Sequence, residues 1–398
     1  MNLSHLCQAD SVKIAFISRW LVEESRRFGN EGGPELQRIQ AYEELGYQVT
    51  VLSQAIDVRG YFEERALGGI RVIVTPRWKR RKLFWIADRV LKWLTPHRKL
   101  ASDAYDLAVF LKKYGPFDCI EAQCEEPDGL VVSVLSRFRK LPPWMVSVFS
   151  LRYSFVEGRP RFALLKAFQH VLNRADLVKV HSPLVMRTIR EIYGITNPHV
   201  KIVPPNLAIS FLRHLRPIPV GADPNRILCA GALNEKKGVI DFIRAVKILH
   251  PKYPEWIFSI AGGSTSRDGY EAVLKKEGEG LPIHWLGSLK PEAFQIEITR
   301  SRLVVVPSRF DEFNRAGVEV TLCGRPLVIT ESCGVSDWVE RLEAGVIVKA
   351  VDPQDLARGI EEAYRKEWNL GVAQEAFASD FNPRAVSALS IKEMQERI

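Results

Sequence analysis

The residues with the clearest chemical potential lie in one run, Pro307-Ser308-Arg309-Phe310-Asp311-Glu312-Phe313-Asn314-Arg315-Ala316-Gly317-Val318-Glu319. It carries two acids, Asp311 and Glu319, with seven residues between them. An apolar, β-branched stretch precedes the run and a helical pattern follows it, so Asp311 falls in the loop after a buried strand and Glu319 on the next helix. Ligands bind open α/β sheets at such loops. Carboxylates there can accept paired hydrogen bonds from vicinal hydroxyls, as on a hexose or a ribose. Backbone amides of Phe313, Asn314 and Arg315 at the helix start can face phosphates. Taken alone, acids at this spacing are more often two solvated side chains, so the rest of the chain has to decide.

A second run, Gly231-Ala232-Leu233-Asn234-Glu235-Lys236-Lys237-Gly238, follows another apolar strand and opens a helix. Lys237 is there a compact positive charge at a helix N-terminus, a place that favours anions. A solvated helix end is the competing reading. Small residues also follow strands at Ala261-Gly262-Gly263, Leu286-Gly287 and Cys333-Gly334-Val335-Ser336-Asp337, and in the first half Gly32-Gly33-Pro34 precedes a helix over 35–45.

The elements that must position these residues alternate along the chain. Short β-branched runs and amphipathic stretches succeed each other throughout, the pattern of parallel sheets covered by helices. Strands are expected over 13–18, 48–53, 70–75, 118–122, 145–149, 177–181 and 201–203. The second half repeats the rhythm at 226–230, 256–261, 283–286, 303–307, 326–330 and 346–350. No strand-to-helix junction carries GxGxxG, which argues against a dinucleotide site. Five prolines within 204–224 mark a connection, so the chain divides into an N-terminal domain over 1–220 and a C-terminal domain over 221–375. A helical tail over 376–398, broken at Asn382-Pro383, is expected to cross back to the first domain.

Composition bounds the rest. With 398 residues, 46% hydrophobic and 26% charged, the chain can bury two cores. Its formal net charge of +9 is local: residues 77–99 hold nine basic side chains and one acid, Asp88. Six cysteines show no CxxC pair and no histidine at zinc-ligand spacing, so they are expected to be reduced thiols of a cytoplasmic protein. No uninterrupted apolar window is long enough to span a membrane.

The two runs, taken together, resemble the signatures of family 4 retaining glycosyltransferases of the GT-B fold, the glycosyl transferases group 1. That family's E-x7-E motif is usually written PSxxEGFGxxxxEA, and its phosphate motif GRLxxEKG. The glycine turns follow in family order, with Cys333 to Asp337 where GGxxE is usual, and the resemblance covers nearly all of 226–359. It implies an α/β protein of two Rossmann-like, doubly wound domains facing a central cleft. It also implies transfer of a sugar, with retention, from a nucleotide-diphosphate-sugar to a hydroxyl acceptor, with no metal or other cofactor. By position Asp311 contacts the donor sugar, Glu319 holds the ribose and Lys237 the diphosphate. Gly231, Gly263, Phe313, Asn314 and Arg315 complete the donor site, and Gly33 lets backbone amides approach the phosphate.

Three departures stand out. The first acid is shortened to Asp311, EGFG has become Asp311-Glu312-Phe313-Asn314, and Ala232 replaces the arginine that would grip phosphate bidentately. Arg315, Arg309 and Lys236 are the cations at hand to substitute. The family's histidines after the fourth and fifth strands are missing, which leaves Glu121 and Arg152 as the acceptor-side candidates. His181, at a strand end, is expected to be packed.

Within 77–99, Leu83, Ile86, Val90, Leu91 and Leu94 recur at helical spacing, with Phe84, Trp85 and Trp93 among the cations. Such a helix suits an anionic membrane surface on the cytoplasmic side; a core-packed helix and a groove for an acidic glycan compete. No nucleic-acid module is recognisable. The partners expected are therefore a nucleotide-sugar, a glycan, lipid-linked or small-molecule acceptor, and an anionic membrane, in bacterial-type cell-surface glycan or glycolipid synthesis. A non-catalytic GT-B binding protein and a glycan phosphorylase are the alternatives.

Overall fold

The computed structural model describes residues 12–28, 34–58, 60–77, 84–94, 99–124, 127–148, 151, 162–206, 221–264 and 269–397. The chain forms two compact units, one of residues 1–181, 185–206 and 383–398, the other of 182–184 and 207–382.

In the first unit, strands β1 (Lys13–Ile17), β2 (Gln48–Ala55), β3 (Glu63–Leu67), β4 (Ile70–Pro76), β5 (Cys119–Gln123), β6 (Trp144–Val148), β7 (Leu177–Val180) and β8 (Val200–Ile202) form one sheet. Its order is β3-β4-β2-β1-β5-β6-β7-β8, and only β3 pairs antiparallel. Strands covered on both faces read as continuous apolar runs, and every residue of β6 is buried. Helices α1 (Leu21–Phe28), α2 (Pro34–Glu44), α3 (Trp85–Leu94), α4 (Leu100–Tyr114), α5 (Pro127–Leu135), α6 (Phe162–Arg174) and α7 (Pro183–Glu191) connect them. The expected strands are present within one or two residues; β3 was not expected, because Glu-Glu-Arg-Ala-Leu lacks an apolar face. The signal was the pair Gly68-Gly69, whose φ values of 55 and 88 make the two-residue hairpin turn. Its charges suit a sheet edge, where Arg71 meets Glu64 at 2.8 Å.

In the second unit, β9 (Asp223–Ala230), β10 (Ile257–Ala261), β11 (Ile283–Gly287), β12 (Ser301–Val306), β13 (Leu327–Thr330) and β14 (Gly345–Val348) pair in parallel in the order β11-β10-β9-β12-β13-β14. The chain reverses direction across the sheet between β9 and β12, which is the doubly wound arrangement. Alternate strand residues feed opposite faces: Ile227 and Cys229 join one core and Leu228 and Ala230 the other. Helices α8 (Val239–Leu249), α9 (Tyr270–Glu277), α10 (Pro291–Arg300), α11 (Arg315–Leu322), α12 (Ser336–Arg341), α13 (Pro353–Arg365) and α14 (Gly371–Asp380) cover the faces. The last helix, α15 (Pro383–Gln395), belongs to the first unit and puts Ile391 and Met394 into its core.

Candidate functional site

The strand order brings together the loops after β9 and β12, and these hold the two runs singled out in the sequence. After β9, Asn234 caps a short 3-10 turn over Glu235–Lys237, accepting from the Lys237 amide at 3.2 Å. Gly238 ends the turn at φ 62, and a Cβ there would lie 1.9 Å from the Pro307 carbonyl oxygen. Only glycine allows the two loops to touch at this point. After β12, Arg309 ties the loops again: its amide donates to the Lys236 carbonyl at 2.8 Å. Its guanidinium grips Asp241 bidentately at 2.8 and 3.1 Å and reaches Glu235 at 3.3 Å.

Lys237 and Asp311 meet across this junction. Lys237 Nζ donates to Asp311 Oδ2, and both side chains keep partial exposure. Asp311 Oδ2 also accepts from Asn314 Nδ2 at 3.0 Å, and Oδ1 accepts from the Phe313 amide at 3.2 Å. The loop is held from its far side, where the Gly334 and Val335 amides donate to the carbonyls of Asp311 and Phe313 at 2.9 and 2.8 Å. The Phe313 ring is buried, 5.3 Å from Phe381 and 6.1 Å from Trp338. It therefore anchors the loop and leaves only its backbone for a ligand.

Asn314 opens α11, its Oδ1 accepting from the Gly317 amide at 2.9 Å. Arg315 is the exposed first residue of that helix, one turn before Glu319. Glu319 is partly exposed; burial pushes its carboxyl up to about 7 against the lowering pull of Arg315. Gly231 and Gly263 lie in neighbouring loops joined by the Leu233 amide, which donates to the Gly263 carbonyl at 2.9 Å. Between them Gly262, which sequence reasoning passed over, has the stricter need: its Cβ would lie 1.8 Å from the Gly231 carbonyl oxygen. Of the cations named to replace the arginine at Ala232, Arg309 is committed to Asp241. Arg315 and Lys236 are exposed.

The acceptor-side expectation needs correction at Glu121. This residue is fully buried on β5, where its carboxylate accepts from Lys179 at 2.6 Å and Tyr42 at 2.8 Å and lies 3.2 Å from Arg38. Burial raises its affinity for a proton, yet Arg38 and Lys179 outweigh that and hold the carboxyl below its usual range. A buried, satisfied carboxylate cannot orient a solvent-borne hydroxyl. Ser390 of α15 completes the group, 2.8 Å from both Lys179 and Tyr42. His181 is packed: its Nδ1 faces the Val203 carbonyl at 2.9 Å, and burial pulls it down to about 3. Gly33 and Arg152 lie outside the described residues.

Another charged group, unforeseen from sequence, follows β1. Arg19 meets Asp103 at 2.8 Å and Asp128 at 3.6 Å, and Gln54 donates to Asp103 at 3.0 Å. They line a cavity of about 20 Å³, room for a single water.

Two cations of the basic segment are committed to neighbours. Lys99 is buried on the carbonyls of Pro76 and Arg77 at 3.1 Å, and the Arg77 guanidinium stacks 3.6 Å from the Trp20 ring centroid. Asp88 is buried and accepts from the Ala101 amide at 2.8 Å at the start of α4. Trp85 and Ile86 are 48% and 70% exposed, with Arg89 over Trp85. Lys79 to Lys82 and Arg98 lie outside the described residues. No helix among the described residues is long and apolar enough to cross a membrane. Nor does any group of three or more His, Cys, Asp or Glu among them converge as metal ligands do.

Comparison with solved structures defines the fold. The fold matches sucrose-phosphate synthase from Thermosynechococcus elongatus with a TM-score of 0.69 at 19% identity, over 97% of this chain and 98% of that one. It matches Anabaena HepE, solved with UDP and glucose, with a TM-score of 0.64 at 19% identity, over 96% and 99%. This is the GT-B glycosyltransferase fold. Residues 213–378 match the model of the family described as glycosyl transferases group 1. Among curated relatives, the D-inositol 3-phosphate glycosyltransferase of Corynebacterium jeikeium is 26% identical over 205 residues, 48% of this chain and 49% of that protein. The glycogen synthase of Mycobacterium tuberculosis is 25% identical over 168 residues, 41% of each. The chain spans about half the length of the curated relatives it matches.

Proposed function

We propose that the protein transfers a sugar from a nucleoside-diphosphate-sugar to a hydroxyl acceptor, with retention of configuration. The observation that carries this reading is the Lys237–Asp311 pair at the reversal point of a doubly wound sheet. It sets a cation for the leaving diphosphate beside an acceptor for a sugar hydroxyl. Glu319 would hold the ribose, and the amides at the start of α11 would face the phosphates. In this scheme Lys237 and the helix N-terminus stabilise the departing charge, the leaving phosphate takes the acceptor proton, and no metal is required.

The first unit would bind the acceptor, for which cell-surface glycans and glycolipids are the proposed class. Exposed Trp85 and Ile86 beside Arg89 support contact with an anionic membrane surface. Co-sedimentation with anionic vesicles, lost when Arg80, Arg81 and Lys82 are neutralised, tests that part; unchanged sedimentation refutes it.

The deciding experiment is a panel of nucleotide-sugars offered to the purified protein, with binding by calorimetry and turnover by nucleotide release. Transfer with one donor class supports the proposal. Binding without turnover would point to a binding protein, and turnover only with inorganic phosphate to a phosphorylase.

A further inference from the structure

Asn314 is buried and holds its backbone at φ 73, a left-handed conformation uncommon for any residue but glycine. Both ends of its side chain are used. Oδ1 accepts from the Gly317 amide at 2.9 Å and caps α11, which fixes the amide orientation because a backbone N–H can only donate. Capping requires that oxygen alone. The nitrogen is turned instead to Asp311, donating to Oδ2 at 3.0 Å and lying 3.4 Å from Ser308 Oγ.

An ionised carboxylate offers about four lone-pair sites. On Asp311, Oδ2 is engaged by Lys237 and Asn314, and Oδ1 by the Phe313 amide. One acceptor site remains, on Oδ1. We infer that Asn314 is a positioning residue: its amide holds Asp311 Oδ2 so that the carboxylate keeps its orientation, with the open site on Oδ1 turned to a hydroxyl of the donor sugar. When Lys237 turns to a diphosphate, Asn314 keeps Oδ2 in place. The inference rests on the donor-site reading above and sharpens it, since the orientation of this acid then depends on Asn314 and not on Lys237.

Asn314→Asp separates the two duties. Aspartate matches asparagine in shape, as a helix cap and in tolerance of the left-handed backbone. Its second oxygen, however, would face Asp311 Oδ2 where the amide now lies at 3.0 Å, and two carboxylates so placed share a proton. The other titratable groups against Asp311 are Lys237 and Cys333, the latter a neutral thiol that burial pushes up to about 12. Glu312 and Arg315 are the charged chain neighbours.

Melting of the ligand-free variant from pH 5 to pH 8 is the first readout. Its Tm should match wild type within about 2 °C at pH 5 and fall several degrees below it at pH 8. Asn314→Asp combined with Asp311→Asn should restore the wild-type profile. Donor turnover by Asn314→Asp at pH 8 should drop at least ~10-fold, with recovery at lower pH. Melting and turnover profiles that superimpose on wild type overturn the proposal. The melting series needs no donor, so a protein that binds no nucleotide-sugar refutes the donor-site reading while the Asn314–Asp311 contact is still tested. Should Asn314→Asp not fold, Asn314→Gly suits the backbone and lacks the amide, and turnover within about twofold of wild type would then overturn it.

Discussion

Lys237 and Asp311 are separated by 74 positions in sequence and form an ion pair where the loops after β9 and β12 converge. Each satisfies the other in the free protein, so on the proposed reading a ligand with both a diphosphate and a sugar hydroxyl would exchange one internal contact for two new ones. The pair can therefore be held ready without leaving either charge unpaired.

Replacing Lys237 with methionine should lower turnover of a nucleotide-sugar by ~10²–10³-fold, the usual effect of losing one contact to developing charge. Both partners are partly exposed, so Tm should move by no more than about 4 °C. Steady-state kinetics and a melting curve on one preparation check both. A loss below threefold removes Lys237 from the proposed role.

Glu319 gives a pH signature. Its carboxyl is raised to about 7 in the folded protein and sits near 4.3 in an unfolded chain. The folded state therefore binds the proton more tightly, and stability falls as pH rises from about 4 to 7, then levels. Glu319→Gln should abolish that slope and gain up to about 3 kcal/mol on wild type across the window. Nucleotide affinity, measured by calorimetry, should rise through pH 7 in wild type as the acceptor-only carboxylate forms, and stay flat in the variant. A pH-independent wild-type affinity would count against ribose binding at this residue.

Gly238→Ala meets two obstacles at once, the positive φ and the Pro307 carbonyl oxygen at 1.9 Å. It should cost about 3 kcal/mol or more. Urea unfolding of the full chain measures this, and a variant as stable as wild type would show that the two loops do not need to touch.

Removing Glu121 leaves Lys179 and Arg38 buried without their shared carboxylate, at a cost of ~3–5 kcal/mol for Glu121→Leu. Lys179→Met should cost less, because Arg38 remains 3.2 Å from Glu121. The double variant should recover part of the loss, and strict additivity in denaturant midpoints would show that the pair is not coupled.

Much of the second unit was legible because its signals are local. Buried parallel strands read as short apolar runs, and Lys237 and Asp311 stand at the strand-to-helix junctions that those runs define, with Glu319 on the helix that follows. What stayed hidden depends on contacts distant in sequence. Glu121 reads as a strand-end acid until Lys179, Tyr42 and Ser390 are seen around it, and Arg309 reads as a spare cation until Asp241 takes it. The edge strand β3 was missed because its charges, which protect a sheet edge, mask its periodicity. Asn314 looked like a departure from a glycine position, and only its hydrogen bonds give the substitution a purpose.

The place of α15 has a consequence for how the molecule is made. Residues 207–382 are synthesised as an uninterrupted block with their own core, whereas the earlier unit still lacks Ser390, Ile391 and Met394 when that block is complete. On the ribosome this connectivity allows the usual order of maturation to be inverted. The middle of the polypeptide can finish folding first, and the beginning waits for the last turns of helix to emerge before Lys179 and Glu121 are sealed from water.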